Sequence, residues 1–298
     1  MEKTLKCPAC DESQFKDFLN CKDNFLTREE FSIQECLHCG LRFTNPRPAA
    51  NEIGPYYESP DYIAHDAGKG TLIESVYKFV RKIALKGKFN VIKENTQGQN
   101  LLDIGCGTGE FLRFCQSQGL KVMGIEPSPK ARNFAKQKYQ LEVFEESQLE
   151  LLPEASFDVI TMWHVLEHVH NLNERFAQIQ RLLKPGGTLL IAVPNSNSWD
   201  ASFYRQFWAA YDLPRHLYHF TPHTLQTLLQ KKQFTLARTI PLQFDAFYIS
   251  LLSGKYRSGS QNYIKAIVNG FRSNIFATSH EKNYSSLIYL CKTEKDEK

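Results

Sequence analysis

The sequence predicts an α/β fold, a doubly wound parallel sheet preceded by a small cysteine-bearing module, and three observations predict it. From about residue 99, short apolar runs alternate with helical patterns. One of those runs, "LLDIG", leads into three closely spaced glycines. Ahead of them stand two Cys-x-x-Cys pairs.

A chain of 298 residues accommodates one large core or two domains. With 42% hydrophobic and 23% charged residues and no low-complexity tract, it has the composition of a globular protein. No apolar run approaches the ~18 residues of a transmembrane segment. The stretch "MEKTLKCPACDESQF" lacks the apolar region of a signal peptide, so the expected location is cytoplasmic. A net charge of +4 is too mild to argue for a stable nucleic-acid partner. The densest basic stretch is "YKFVRKIALKGKFNVIK". There Val76, Phe79, Val80, Ile83 and Ala84 share one helical face, leaving Lys78, Arg81, Lys82 and Lys86 outside. That basic face reads as solvated, with a surface for anionic lipid or phosphate as the alternative.

Reduced thiols or metal ligands are what cysteines of a cytosolic chain become. "CPAC" supplies Cys7 and Cys10, and "CLHCG" supplies Cys36 and Cys39. Two intervening residues let both sulfurs of a pair turn toward one ion, and Pro8 and Gly40 suit tight knuckles. Tetrahedral zinc on four thiolates is the economical reading, in a zinc-ribbon-like module with no open position and hence a structural role. Cys21, Cys106, Cys115 and Cys291 have no such partners and read as small hydrophobes.

The alternation then runs through "NLLDIG", a helix from Glu110 to Gln118, "KVMGIE", a helix from Ser128, "FDVITMW", the helix "NERFAQIQRLLK" and "GTLLIAVPN". Such a pattern argues for a parallel sheet with helices on both faces and a ligand at the carboxyl ends of the strands. The turn reads Gly105-Cys106-Gly107-Thr108-Gly109-Glu110. A dinucleotide fingerprint wants glycine where Glu110 stands, and a carboxylate opening the helix disfavours pyrophosphate. No Gly-Lys-Ser/Thr closes a phosphate loop. A ligand without phosphates remains. Asp103 suits a cationic or polar group, and Glu126 ends the second strand, where an acid accepts both hydroxyls of a ribose. Together these fit an adenosyl group joined to an amino acid.

The segments "LLDIGCGTGEFL", "GIEPSP", "LPEASFDVITMWHVLEHV" and "LLKPGGTLLIAVPN" resemble, in order, the motifs of class I S-adenosylmethionine-dependent methyltransferases. The resemblance implies a Rossmann-like methyltransferase sheet with S-adenosylmethionine as cofactor. It implies that Asp103, Gly105, Cys106, Gly107 and Gly109 wrap the methionine part and that Glu126 holds the ribose. It further implies that the loop "FEESQLELL" covers the adenine, with Ser147 and Gln148 nearest. More loosely, "CLHCGLRFTNPRP", "YYESPDYIAHDA" and "YDLPRHLYHFTPHTL" resemble bacterial zinc-containing methyltransferases, including those acting on nucleotide-linked deoxysugars.

Three groups of side chains compete for the chemistry at the acceptor. In "RHLYHF", His216 matches the histidine of an acid–His pair that the sugar enzymes use as base or substrate anchor. Arg215 stands where the acid would be, which suggests an anionic group on the substrate; His219 can share the face. Against this, a histidine here can simply cap the helix that follows Thr221-Pro222. In "HVLEHV", His164, Glu167 and His168 fall on one helical face as a facial metal set, with a cleft wall placing His164 near the transferred methyl as the other reading. A similar acid-x-x-Glu-His element binds a divalent cation in small-RNA ribose methyltransferases and ubiquinone-pathway O-methyltransferases, but here His164 replaces the first acid. Tyr56, Tyr57, Tyr62 and His65 form either a lid over the acceptor or packing between module and core. Aromatics in "SWDASFYRQFWAAYD" read as core, or as a face for a sugar ring or lipid tail.

The expected organisation is a zinc module over residues 1–47, a lid and helical linker over 48–95, and the cofactor-binding domain over 96–298. "FTLARTIPL" and "YSSLIYLCKT" form its last two strands, with a long helical insertion at about 244–277. The expected enzyme is a methyltransferase whose partner is a small-molecule or lipid-linked sugar acceptor, such as a nucleotide-linked glycan precursor. An O-methyltransferase of a quinone-type or phenolic lipid is the alternative. A non-catalytic RNA- or protein-binding protein on the same fold is the reading of another class.

Overall fold

A computed structural model describes residues 1–58 and 72–293, excepting the side chains of 72–78. Tyr62 and His65 lie outside the described residues. The chain opens with the antiparallel strands β1 (Phe15–Lys22), β2 (Glu30–Cys36) and β3 (Arg42–Thr44). Then come α1 (Leu72–Asn95), β4 (Asn100–Ile104), α2 (Glu110–Ser117), β5 (Lys121–Ile125), α3 (Pro129–Tyr139), β6 (Val143–Phe144) and α4 (Gln148–Leu151). β7 (Phe157–Trp163), α5 (Leu172–Leu182), β8 (Leu183–Pro194), α6 (Trp199–Tyr204), β9 (Tyr218–His219) and α7 (Pro222–Lys231) follow. The chain closes with β10 (Phe234–Pro241), α8 (Asp245–Ser258), α9 (Tyr263–Ser279) and β11 (Ser286–Thr293).

The main sheet has seven strands in the order β10-β11-β8-β7-β4-β5-β6. Strands β4, β5, β6, β7 and β8 run parallel, whereas β11 is antiparallel to both β8 and β10. Leu101, Leu102 and Ile104 of β4 are all buried, as an apolar run sandwiched between helices must be. From β4 the chain steps to β5 and β6 on one side and to β7 and β8 on the other. That reversal opens a crevice at the carboxyl end of β4, where the glycine turn stands.

The second sheet is not closed within residues 1–47. Its order is β1-β2-β3-β9, so its fourth strand comes from beyond β8. Arg42 and Phe43 pair with His219 and Tyr218, and the N–H of Thr44 donates to the Leu217 carbonyl at 3.0 Å. Cys7, Cys36, Leu41 and Phe43 share one apolar cluster with Leu102, Ile160, Leu225 and Leu228. The module and the main sheet therefore have a common core, and the break expected at residue 47 is bridged by a strand pair.

Two expectations about local structure are corrected. Phe79 and Ile83, read from their spacing as an inward face of α1, are exposed at 66% and 41%. "HVLEHV" is not an α-helix but a single 3-10 turn over Leu166–His168, entered through His164 at φ +58°. A left-handed residue ends β7 abruptly and re-aims the chain, which helical spacing does not anticipate.

The insertion forms the antiparallel pair α8 and α9, anchored through Asp200. This buried carboxylate accepts from Trp208 Nε1 at 2.7 Å, Ser273 Oγ at 2.7 Å and Ser285 Oγ at 2.6 Å. Three otherwise distant segments are thus tied to α6 by one acid. Asp200→Ala leaves those buried donors unpaired and is expected to lower stability by about 2–4 kcal/mol, read as the shift in a urea transition. An unchanged midpoint would mean that the network carries no weight.

Candidate active site

The glycine turn is built by strain and close approach in different measure at its three glycines. All have positive φ: +74° at Gly105, +56° at Gly107 and +79° at Gly109. A Cβ on Gly105 would meet Val165 at 2.4 Å, and one on Gly109 would meet Leu141 at 2.7 Å. At Gly107 nothing lies within 4 Å, so this glycine faces open space. The Glu126 carboxylate closes the turn from β5, accepting from the N–H of Gly107 at 2.8 Å and of Ser128 at 2.9 Å. A carboxylate has about four acceptor positions, so two fixed amides still leave lone pairs for a diol. Burial pushes the Glu126 pKa up against those amides.

Asp103, also buried, accepts from Thr161 Oγ1 at 2.6 Å. Burial raises its pKa to about 7, with the Thr161 hydrogen bond and Lys88 opposing. Lys88 was not singled out from the sequence, where it lies in a stretch read as solvated. It turns inward over the Trp163 ring at 4.5 Å, and burial lowers its pKa against the pull of Asp245 and Asp103. Cys106 is part-buried, with Sγ 3.9 Å from the Gly107 carbonyl. Ser147 and Gln148 follow β6 at the start of α4; Ser147 is exposed and donates to Glu145 at 2.8 Å.

Beside this turn a second polar cluster forms where the 3-10 turn meets the segment before β9. The N–H of Leu217 donates to the Glu167 carbonyl at 2.7 Å, and Thr44 Oγ1 donates to the His216 carbonyl at 2.7 Å. Those bonds bring Glu167, His168 and His216 together, with one ligand atom of each within 4.8 Å of the others. The His168 and His216 rings meet edge to face at 4.5 Å. His216 Nδ1 faces the Ala210 carbonyl at 2.8 Å, and His168 Nδ1 faces the Arg215 carbonyl at 3.0 Å and the Tyr57 hydroxyl at 2.9 Å. Carbonyls at Nδ1 fix the proton there and leave Nε2 as the lone-pair atom of each ring. Glu167 is fully buried, and among the described residues its carboxylate makes no close hydrogen bond; its nearest charged neighbour is His164 Nδ1 at 3.5 Å. Such a carboxylate is costly unless it acts on something.

His164 does not join this set. Its Nε2 stands 3.1 Å from Asp245 and its Nδ1 3.5 Å from Glu167. Burial works against its cation, but the two carboxylates outweigh it and raise its pKa to about 9. At neutral pH His164 is then a cation between two anions, without the lone pair that a base or a metal ligand needs. His216 takes its place in the three-donor set. His219 is buried in β9, its Nε2 3.3 Å from Thr44 Oγ1, with burial holding its pKa well below the usual range. It sits in the β3–β9 pair at the edge of the four-stranded sheet.

Arg215 is likewise placed differently from its expected role. It is 3% exposed and donates to Asp212 through Nε at 2.9 Å and through Nη2, and to the Tyr56 carbonyl at 2.9 Å. Its guanidinium also lies over Phe25 at 4.2 Å. With its fork committed to Asp212, Arg215 is not arranged to receive an anionic group. The acid near His216 is Asp212 itself, with Oδ2 3.9 Å from His216 Nε2, one helical turn upstream of where the motif places it.

The four cysteines converge as their spacing predicts. Cys7 and Cys39 sulfurs lie 3.5 Å apart, those of Cys10 and Cys36 3.6 Å apart, and all four fall within 4.8 Å. Zinc–sulfur bonds of ~2.3 Å put tetrahedral sulfurs ~3.8 Å apart, so the cluster has the right size. Amides of Ala9 and Cys10 point at the Cys7 sulfur and that of Leu41 at the Cys39 sulfur.

A family model described as a methyltransferase domain matches residues 76–239. The chain belongs to the methyltransferase family. It is 36% identical over 126 residues to the demethylmenaquinone methyltransferase of Tropheryma whipplei strain Twist, covering 40% of this chain and 52% of that protein. It is 32% identical over 110 residues to the ubiquinone biosynthesis O-methyltransferase of Rhodopseudomonas palustris strain BisB18, covering 34% and 41%. The chain thus spans about half the length of the curated relatives it matches. Among solved structures, it resembles a SAM-dependent methyltransferase from Thermotoga maritima in fold. The TM-score is 0.50 at 17% identity, over 74% of this chain and 94% of that one.

Removing Arg215 separates its structural role from substrate binding. Arg215→Ala leaves the Asp212 carboxylate without the guanidinium that pairs it and is expected to destabilise the fold by about 3 kcal/mol. A stable variant with a merely raised KM would instead restore the anionic-acceptor reading.

Proposed function

We propose that the chain transfers the methyl group of S-adenosylmethionine to a hydroxyl of a small or lipidic acceptor of phenol or quinol type. One observation supports the cofactor above others: the open Gly107 turn closed by a Glu126 carboxylate that keeps spare lone pairs. S-adenosylmethionine supplies a sulfonium-activated methyl. Gly105, Cys106, Gly107, Gly109 and Asp103 are assigned its methionine part, Glu126 its ribose, and Ser147 and Gln148 the adenine side. His216, with its proton fixed on Nδ1, presents Nε2 to take the acceptor's proton, and buried Glu167 favours the resulting imidazolium. Tyr57 and Asp212 orient the two rings.

The names of the curated relatives support a quinone-type acceptor over the nucleotide-linked sugar, and the commitment of Arg215 to Asp212 removes the anionic-substrate argument for the sugar. Glu167, His168 and His216 also make a two-histidine, one-carboxylate donor set, and a Glu167 carboxylate without a close hydrogen bond favours a second reading in which a divalent cation lowers the acceptor's pKa. We assign zinc to Cys7, Cys10, Cys36 and Cys39 as a structural ion that holds β3, and through it β9, in place.

The cofactor assignment makes a pH prediction. A cationic ligand needs Asp103 ionised, while in the free protein burial keeps its pKa near 7. Affinity for S-adenosylmethionine is therefore expected to rise between about pH 6 and 8 and then level off, with proton release visible by calorimetry in buffers of different ionisation enthalpy. Glu126→Ala is expected to cost ~1.5–3 kcal/mol of the same affinity. A flat pH profile together with unchanged affinity in the variant would refute the placement. For the ion, elemental analysis is expected to give about one zinc per chain, lost on Cys36→Ser with a fall in melting temperature. Folded, metal-free wild-type protein would exclude it.

A further inference from the structure

Helix α9 is packed with its polar side inward. Ala266, Asn269, Gly270, Ser273 and Ala277 face the protein and are buried. Asn269 Nδ2 donates to the Tyr204 hydroxyl at 2.7 Å, and Ser273 Oγ to Asp200 at 2.7 Å. Gly270 lets α8 approach so closely that a Cβ there would meet the Phe247 ring at 2.4 Å. Hydrogen bonds and close approach fix the helix's rotation, so its opposite face cannot turn inward. That face carries Ile264, Ile267, Val268, Phe271 and Ile275, between 43% and 77% exposed. Their i, i+3, i+4, i+7, i+11 spacing makes one continuous apolar stripe of ~16 Å at 1.5 Å per residue. No described element covers it.

We propose that this stripe is a docking surface for an anionic lipid bilayer. Charge selects that occupant. From Ala246 to His280 the sequence contains no acidic residue, while Lys255, Arg257, Lys265 and Arg272 are all exposed. A two-fold contact with a second copy would set Lys265 and Arg272 against the same cations with no acid opposite them. An anionic bilayer meets both needs: hydrocarbon for the isoleucines and phenylalanine, and phosphate for the lysines and arginines. The hairpin is also rooted at the active site, because Asp245, the first residue of α8, holds His164 at 3.1 Å. A membrane on α9 would therefore lie on the element that reaches the catalytic cluster. This surface stands on the α8–α9 hairpin and does not depend on which acceptor is methylated.

Co-sedimentation of the full chain with vesicles tests it. The expected result is binding to vesicles with about 30% phosphatidylglycerol, weakened by salt, and little binding to pure phosphatidylcholine. I267N/F271N and, separately, K265Q/R272Q are each expected to lower that binding by at least about tenfold. All four positions are exposed, and an unchanged urea transition confirms that folding is intact in each variant. Equal binding by wild type and both variants overturns the proposal. So does a concentration-dependent dimer in sedimentation velocity that I267N/F271N abolishes, with no wild-type binding to vesicles. A wild-type monomer that binds neither vesicle overturns it as well.

Discussion

The candidate active site depends on a short backbone ladder in which the Leu217 N–H donates to the Glu167 carbonyl at 2.7 Å and the Leu217 carbonyl accepts from Thr44 at 3.0 Å. These bonds join three parts of the chain: the turn after β7, the segment before β9, and the end of β3. Residues 167 and 216 are far apart in sequence, yet their side chains meet because the ladder sets their register. Thr44 Oγ1 adds a third tie, to the His216 carbonyl. Without this seam Glu167 would keep His164 beside it but lose His216, and with it the three-donor set.

The seam also gives the proposed structural ion a role. The knuckles that gather Cys7, Cys10, Cys36 and Cys39 bracket the β1–β2 pair, and the second leads directly into β3, so whatever fixes the cysteines fixes the strand that receives β9. From the other side, Asp245 at the head of α8 and Glu167 hold His164 between them. The cofactor turn itself is supplied by the main sheet alone. The acceptor side is assembled from the N-terminal sheet, the 3-10 turn and the hairpin, each contributing charge or register rather than a self-contained site.

What could be read from the sequence follows from how local each feature is. The glycine turn, the acid at Glu126 and the paired cysteines are contiguous patterns whose chemistry is set by spacing, and the structure places them as spacing implies. Long-range pairing is different. β9 is two residues long and acquires its identity only from β3, so nothing local marks it as a strand. Asp245 gains its role across the fold, by proximity to His164. Helical spacing misled at "HVLEHV", because the positive φ of His164 breaks the period. It also misled at Phe79 and Ile83, since periodicity identifies an apolar face but not what that face meets. Arg215 reads as a substrate anchor because the acid expected in its place stands three residues earlier, at Asp212, where it takes the guanidinium instead.

The measurement that bears most directly on the central claim is methyl transfer from labelled S-adenosylmethionine to a catechol-headed isoprenoid lipid, compared between wild type and Glu167→Gln. The account predicts label in the lipid with wild-type protein. It predicts a loss of about a hundredfold or more in the variant, while cofactor affinity stays the same. Equal rates in the two proteins, or label that enters nucleotide-linked sugars and never the lipid, would contradict it.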